Sequence, residues 1–489
     1  MKQFVSELKN KKSCIIKIVF LIMLFFGVNL YMSYATDTYS KFASGFYDAG
    51  IDMTMRNGRP IIGLIFELHH LSGLSNESFY YISSISALIL LGLSIWIYQG
   101  ILEKYGIGEN ARILLAFAGI ANIFIIEYFL FIEKCGFMLS ILFVVSGVYW
   151  IDKFFSEKKK RYFVLAALGM VLAILTYQST IALFVILSIP LAMKNAESFK
   201  KYIFNGIAIG VVFVIPAIVS LFAFKFIFKS ARFVESADYY SKFVGVIYNI
   251  FPFAANSVNI LPRFLFLLIT LVTFAAAIVW AATCQRKIWR IFNVCVIVGA
   301  GCLCSTASII QGSGWWSART LYPLASIPAG LAIDLFINKE EVPVNESVKK
   351  WVRNISAAAL VVLMIGQYFS FNKIYINKYR LNALDQYRYQ YIGQAIREYQ
   401  DDTGMEIKKV AFYTDAELYS PQPSNQFQLR SAFTADWSDF TAMNYYLHTS
   451  YKKIDPVEEY VEYFAGKDWD TLSKDQLIFD GDTLHICVY

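Results

Sequence analysis

Charge is what this sequence has least of. Asp, Glu, Lys and Arg make up 17% of its 489 residues, against about 25% in ordinary globular chains. Hydrophobic residues make up 57%, and mean hydropathy is +0.48. A water-soluble chain of this length has too little polar surface to cover so much apolar volume, which excludes a string of soluble domains and points to an α-helical polytopic membrane protein. Histidine is scarcer still, with four in the chain; that speaks against imidazole-based metal chemistry, and neither metal nor cofactor is expected. The seven cysteines form no zinc spacing and no disulfide framework. Six of them, Cys14, Cys135, Cys284, Cys295, Cys302 and Cys304, lie in or beside apolar segments, and Cys487 stands in the tail.

What charge there is falls into two unlike parts. Residues 372–489 hold 12 Lys+Arg against 18 Asp+Glu, and residues 1–371 hold 32 against 19. The division suits a basic body embedded in a lipid bilayer, residues 1–371, followed by a separate water-facing domain, residues 372–489. Nucleic acid is not an expected partner.

Apolar runs suggest about 11 transmembrane helices, near 14–35, 79–100, 111–127, 135–151, 162–177, 179–193, 202–227, 263–283, 289–310, 319–337 and 352–371. Lys2, Lys9, Lys11 and Lys12 precede the first, so the positive-inside rule puts the N-terminus in the cytoplasm, and an odd count puts the tail domain outside. The basic clusters at 153–161, 194–201, 286–290 and 349–353 fall on the inner loops this count requires. The outer loops are then 36–78, 128–134, a turn near Gln178, 228–262 and 311–318. Ser33-Tyr34-Ala35 also fits a signal-peptide cleavage site, but the preceding apolar stretch is longer than a usual signal core and favours a retained helix. The spans at 162–177 and 179–193 are short for a bilayer; either they meet below the outer surface in a cavity with a polar turn, or they reflect simple mismatch. In the tail, 372–400 reads as helix, Val410–Tyr413 as a strand, and Asp480-Gly481-Asp482 as a hairpin turn, together a small α/β or α+β domain.

The first outer loop, 36–78, carries the most chemistry. Pro60 through His70 reads as a short amphipathic helix with proline in its first turn. Arg59 then sits at a helix N-terminus, where free N–H groups and a guanidinium can hold a phosphate. Arg56, on the same loop, is a further candidate for binding the substrate. Asp37 follows the first span; it is placed either as a general base for a hydroxyl nucleophile or as a helix cap in Thr36-Asp37-Thr38. Glu127 and Glu133 bracket an aromatic run with Lys134 adjacent; the two carboxylates are candidate catalytic groups and Lys134 a candidate substrate contact, while Glu133 and Lys134 read equally as solvated turn residues. Arg319, beside Trp315-Trp316, either snorkels to water or binds an anion. Lys229 and Arg232 are weaker candidates for that job. His69-His70 reads as interfacial packing.

Asp37-Thr38-Tyr39 followed by Asn57-Gly58-Arg59-Pro60, with Tyr177-Gln178-Ser179 and Ala318-Arg319 further on, resembles the serotype-converting bacterial O-antigen glucosyltransferase family across residues 30–340. Members usually show two adjacent acidic residues where this chain has Asp37 and Thr38. The resemblance implies a GT-C type fold, a polyprenyl-phosphate sugar as donor, inverting transfer without a metal, and an active site facing away from the cytoplasm. An anionic leaving group needs cations rather than a proton donor, a role that suits Arg59 and Arg319, while a carboxylate, Asp37 before Glu127 or Glu133, serves as base. Gln178 is a candidate for orienting a sugar hydroxyl. The expected activity is transfer of a hexose, glucose first, to an extracytoplasmic glycan. A lipid-sugar transporter and a repeat-unit polymerase share the same basic cavity and stay open as alternatives.

Overall fold

The computed structural model describes residues 11–228, 260–283, 286–303, 317–337, 346–415 and 430–489, with isolated positions between 241 and 248. Lys229, Arg232, Cys284, Cys304 and the Trp315-Trp316 pair lie outside the described residues. Six helices among the described residues are long and apolar enough to cross a membrane. These lie at Lys12–Leu30, Asn76–Glu103, Lys134–Glu157, Phe199–Ile227, Leu265–Thr283 and within Ser347–Thr403, and shorter apolar helices run over Gln178–Lys194 and Tyr322–Ile337.

In chain order the elements that position the site are α1 (Lys12–Phe26), α2 (Thr36–Met55), α3 (Pro60–Ser72), α4 (Asn76–Glu103), α5 (Glu109–Ile120), α6 (Ile125–Leu130), α7 (Lys134–Glu157), α8 (Lys160–Thr176) and α9 (Ala182–Lys194). The stretch 36–78 is therefore no open loop but a helical hairpin. Its helices pack backbone to backbone at two glycines: a Cβ on Gly63 would lie 2.1 Å from the Thr54 hydroxyl, and one on Gly50 would lie 3.0 Å from the Gly63 carbonyl. Any side chain there would prise the hairpin open.

One expected span is broken. Residues 111–127 form a helix only to Ile120, after which Asn122 turns the chain. Its side-chain amide donates to the Tyr322 carbonyl (3.1 Å) and to Ser326 (2.8 Å), and its Oδ1 accepts from the Phe124 amide (2.9 Å). A buried asparagine satisfied three times over offers the backbone a better arrangement than a continued helix. The run 128–134, expected as an outer loop, is likewise wholly buried: Phe129 stacks on Phe26 at 4.9 Å, and Phe26 meets Phe371 edge-on at 4.7 Å.

Helices α10 (Phe199–Phe222), α11 (Leu265–Thr283), α12 (Lys287–Cys302) and α13 (Ile327–Ile337) complete the body. Several polar contacts join helix ends within it: Lys11 pairs with Glu103 (3.1 Å), Lys17 with Glu109 (2.6 Å), Lys104 with Asp152 (2.9 Å), and Arg286 reaches the Ala196 carbonyl (3.0 Å). Helix α14 (Glu346–Thr403) then runs 58 residues through position 371 without a break. At 1.5 Å per residue it spans roughly 85 Å, nearly three times the ~30 Å of a hydrocarbon core, so it must leave any bilayer it crosses.

The tail domain builds on that projecting helix. Strands β1 (Lys409–Thr414), β2 (Lys452–Lys453), β3 (Leu477–Asp480) and β4 (Thr483–Val488) form one mixed sheet in the order β2-β1-β4-β3, with α15 (Asp439–Leu447) and α16 (Glu458–Ala465) beside it. The hairpin at Asp480–Thr483 and the strand at Val410–Tyr413 stand where the turn and alternation signals put them, with Gly481 at φ +56°. Strand β4 is buried along its whole length, because helices cover both faces of the sheet. Inside the interface with α14, Arg388 donates to the Tyr489 hydroxyl (2.9 Å) and to Ser431 (3.1 Å), while Asp385 accepts from the Ala432 amide (2.7 Å) and from Ser431. These hydrogen bonds tie the domain to its helix, and breaking the buried Arg388–Asp385 pair by removing one partner would be strongly destabilising.

Candidate functional site

At the end of the body nearest the tail domain, side chains from distant parts of the chain converge. Asp37 lies in the first turn of α2, where Ala35 is the N-cap and no side chain caps the terminus. The capping reading therefore fails, although a carboxylate in a first turn is favoured by the helix dipole. Its Oδ1 accepts a hydrogen bond from the Trp437 indole at 3.2 Å. One turn on, Lys41 points the same way, and its Nζ donates to Glu133 at 2.6 Å inside the protein.

Arg59 arrives from the hairpin turn. Asn57 closes α2 by donating to the Asp52 side chain (2.9 Å), Gly58 reverses the chain at φ +64°, and Pro60 occupies the first turn of α3. The Gln178 amide donates to the Gly58 carbonyl at 3.0 Å. That bond makes Gln178 a brace for the arginine turn. The guanidinium of Arg59 lies 4.6 Å from the centre of the Tyr177 ring, and its buried Nε has no hydrogen-bond partner among the described residues.

Arg319 precedes a short 3-10 turn at Tyr322–Ser326 rather than entering α13 directly. Its backbone N–H donates to Glu127 at 2.6 Å, its Nε sits 3.6 Å from the other carboxylate oxygen, and its guanidinium lies 4.3 Å from the Phe131 ring centre. Tyr128 donates to the Arg319 carbonyl at 2.9 Å. Asp37, Glu127 and Glu133 all act on the Arg319 charge, and Arg319 and Glu133 act in turn on Arg59. Residues 37, 59, 127, 133, 177 and 319 thus form one electrostatic cluster.

Two expectations are corrected. Arg56 lies outside the cluster: its side chain is 71% exposed on the far end of α2, with Asp52 3.8 Å away. As the C-cap residue of α2, two positions before the Gly58 reversal, it lies at the surface. Glu133 and Lys134 are not solvated turn residues, for both are buried. They also diverge. Lys134, the first residue of α7, turns away from Glu133 to donate to Asn29 (2.9 Å) and Ser84 (3.1 Å), and its ammonium lies 3.8 Å from the Tyr80 ring centre.

Sequence reasoning missed Lys41, Trp437 and Lys378. Lys41 follows Asp37 by one helical turn, a readable signal. Lys378 is buried on α14 within electrostatic range of Asp37 and Lys134. Trp437 comes from the tail domain, and nothing in the linear sequence pairs it with position 37. Lys41, Arg59 and Arg319 thus stand among the carboxylates Asp37, Glu127 and Glu133, with Lys134 and Lys378 buried nearby. His69 packs between Phe46 and Phe79 at ring distances of 4.4 and 4.5 Å, as a packing residue should. No group of three His, Cys, Asp or Glu side chains among the described residues is placed to hold a metal ion.

Comparison with family models, curated proteins and solved structures finds no match for this chain.

Proposed function

We propose that this chain is an integral-membrane glycosyltransferase that moves a hexose, glucose in our reading, from polyprenyl phosphate to an extracytoplasmic glycan. The observation that carries the reading is that a half-buried carboxylate, Asp37, lies within electrostatic range of Arg319, and Arg319 within range of Arg59, which keeps a buried guanidinium N–H without a partner among the described residues. A buried donor left unmatched costs about 1–3 kcal/mol, and a phosphate oxygen is the kind of acceptor that would repay it. A departing polyprenyl phosphate is already an anion, so cations suffice to stabilise it and no acid is required. Glu127 and Glu133 are each committed to a cation, Arg319 and Lys41. They hold and position those groups, which leaves Asp37 as the base that takes the proton from the attacking hydroxyl. In this reading the site and the tail domain face away from the cytoplasm.

The test is turnover of purified polyprenyl-phosphate glucose by the reconstituted protein. Arg59→Lys keeps the charge and loses the planar fork, so it should lower transfer by at least about tenfold. Unchanged turnover would remove Arg59 from the donor site. Glycan analysis of a deletion strain separates the related readings: loss of a side-branch sugar fits a decorating transferase, whereas loss of chain length fits a polymerase.

A further inference from the structure

Near the cluster of charged side chains lies a cavity of quite different character. It measures about 400 Å³ and sits where α15 of the tail domain meets α14 and the segment after the first apolar helix. Tyr34, Tyr379, Tyr445 and Tyr446 line it together with Gln386 and His448. That volume is within the ~300–1,000 Å³ of small-ligand pockets.

Its walls are fixed. The Tyr445 hydroxyl donates to Glu77 at 3.0 Å, and Tyr446 shares a hydrogen bond of 2.6 Å with Tyr39. Tyr34 stands edge-on to Tyr445 with ring centres 5.7 Å apart. The Asn382 amide is consumed by the backbone of Tyr34, accepting at 2.6 Å and donating at 3.1 Å. The rim, by contrast, is free to bind: Tyr379 and Gln386 are exposed, and neither side chain has a hydrogen-bond partner among the described residues.

No lining residue carries a permanent charge, whereas Arg59 and Arg319 stand in the charged cluster. A phosphate therefore belongs in the cluster, and this cavity suits a neutral ligand rich in hydroxyl groups. Flat tyrosine rings offer apolar faces for the C–H faces of a pyranose, while phenol hydroxyls and a side-chain amide supply donors and acceptors for its hydroxyls. The cavity lies close to the start of α2, since Tyr39, bonded to the Tyr446 wall, is two residues from Asp37 on that helix.

We propose that the tyrosine-lined cavity between α14 and α15 binds neutral sugar units of the acceptor glycan and presents the next hydroxyl to Asp37. The inference rests on the transferase reading above and names the acceptor subsite of that site.

The experiment uses full-length protein in detergent. The probes are short oligosaccharides released by mild acid from the surface polysaccharide of a strain lacking this chain. Binding is followed by calorimetry and saturation-transfer NMR. Wild type should bind; Tyr379→Ala and Gln386→Ala should each weaken binding at least about tenfold. Tyr387→Ala, an exposed tyrosine on the same helix outside the cavity, should change nothing. All three variants replace exposed side chains, and an unchanged gel-filtration profile verifies their fold. Absence of binding by wild type, or wild-type affinity in Tyr379→Ala and Gln386→Ala, overturns the proposal. Asp37→Asn separates it from the transferase reading: it should bind oligosaccharide normally and fail to transfer sugar. If neither wild type nor Asp37→Asn transfers sugar while the rim variants lose binding, the cavity stands as a glycan site and the transferase reading falls.

Discussion

The indole N–H of Trp437 donates to the carboxylate of Asp37 across 3.2 Å and 400 positions of sequence. This bond ties the tail domain to the first turn of α2, so the domain is part of the site rather than an appendage. Trp437→Phe keeps the ring and removes the donor. One charge-assisted hydrogen bond at a partly exposed position is worth roughly 1 kcal/mol, so transfer should fall about five- to tenfold with little change in thermal unfolding. An assay of purified protein at saturating donor checks this.

Glu127 holds Arg319 by its backbone and its guanidinium together. Glu127→Gln keeps a hydrogen-bond acceptor but removes the carboxylate charge paired with a largely buried guanidinium. Removing one member of a buried pair costs about 3–5 kcal/mol. Thermal unfolding in detergent should show a clear loss of stability, and the loss should exceed that of Arg56→Ala, whose side chain is mostly in solvent.

Lys41 and Glu133 form the second buried pair, 2.6 Å apart. Lys41→Met and Glu133→Gln should each destabilise strongly, and the double variant should lose less than the two combined, with a coupling of about 0.5–3 kcal/mol. Additive losses would mean that the two charges do not stabilise one another.

Gly58 reaches φ +64° to deliver Arg59. Gly58→Ala forces an alanine into the left-handed region at a cost of about 1–2 kcal/mol. Because the Gln178 brace binds the carbonyl of this same residue, the strain should appear as misplacement of Arg59. Donor KM should rise while the protein still folds, a split that steady-state kinetics with polyprenyl-phosphate glucose would reveal.

Local features of the fold were readable from sequence. The Asp480-Gly481-Asp482 turn, the β1 strand and the Asn57-Gly58-Arg59-Pro60 helix start each depend on dihedral preferences of a few adjacent residues. The break at Asn122 was not readable, because it depends on Tyr322 and Ser326, about 200 positions away. The same holds for the site. Asp37, Arg59 and Arg319 stood out as charges beside apolar segments, yet nothing in their spacing reveals that Glu127 and Glu133 are spent on Arg319 and Lys41. Arg56, equal to Arg59 as a letter in the sequence, differs only in which side of the α2 terminus it leaves. The acceptor cavity escaped notice for a related reason: its tyrosines lie in three separate segments, and in a chain with 32 of them none is conspicuous.

The most direct measurement is transfer of labelled glucose from polyprenyl phosphate to polysaccharide in proteoliposomes containing wild type or Asp37→Asn. Loss of the base should lower transfer by about 10²–10⁴-fold, with Arg56→Ala close to wild type. Equal transfer by wild type and Asp37→Asn, or passage of intact lipid-linked sugar across the bilayer without transfer by either, would contradict the account.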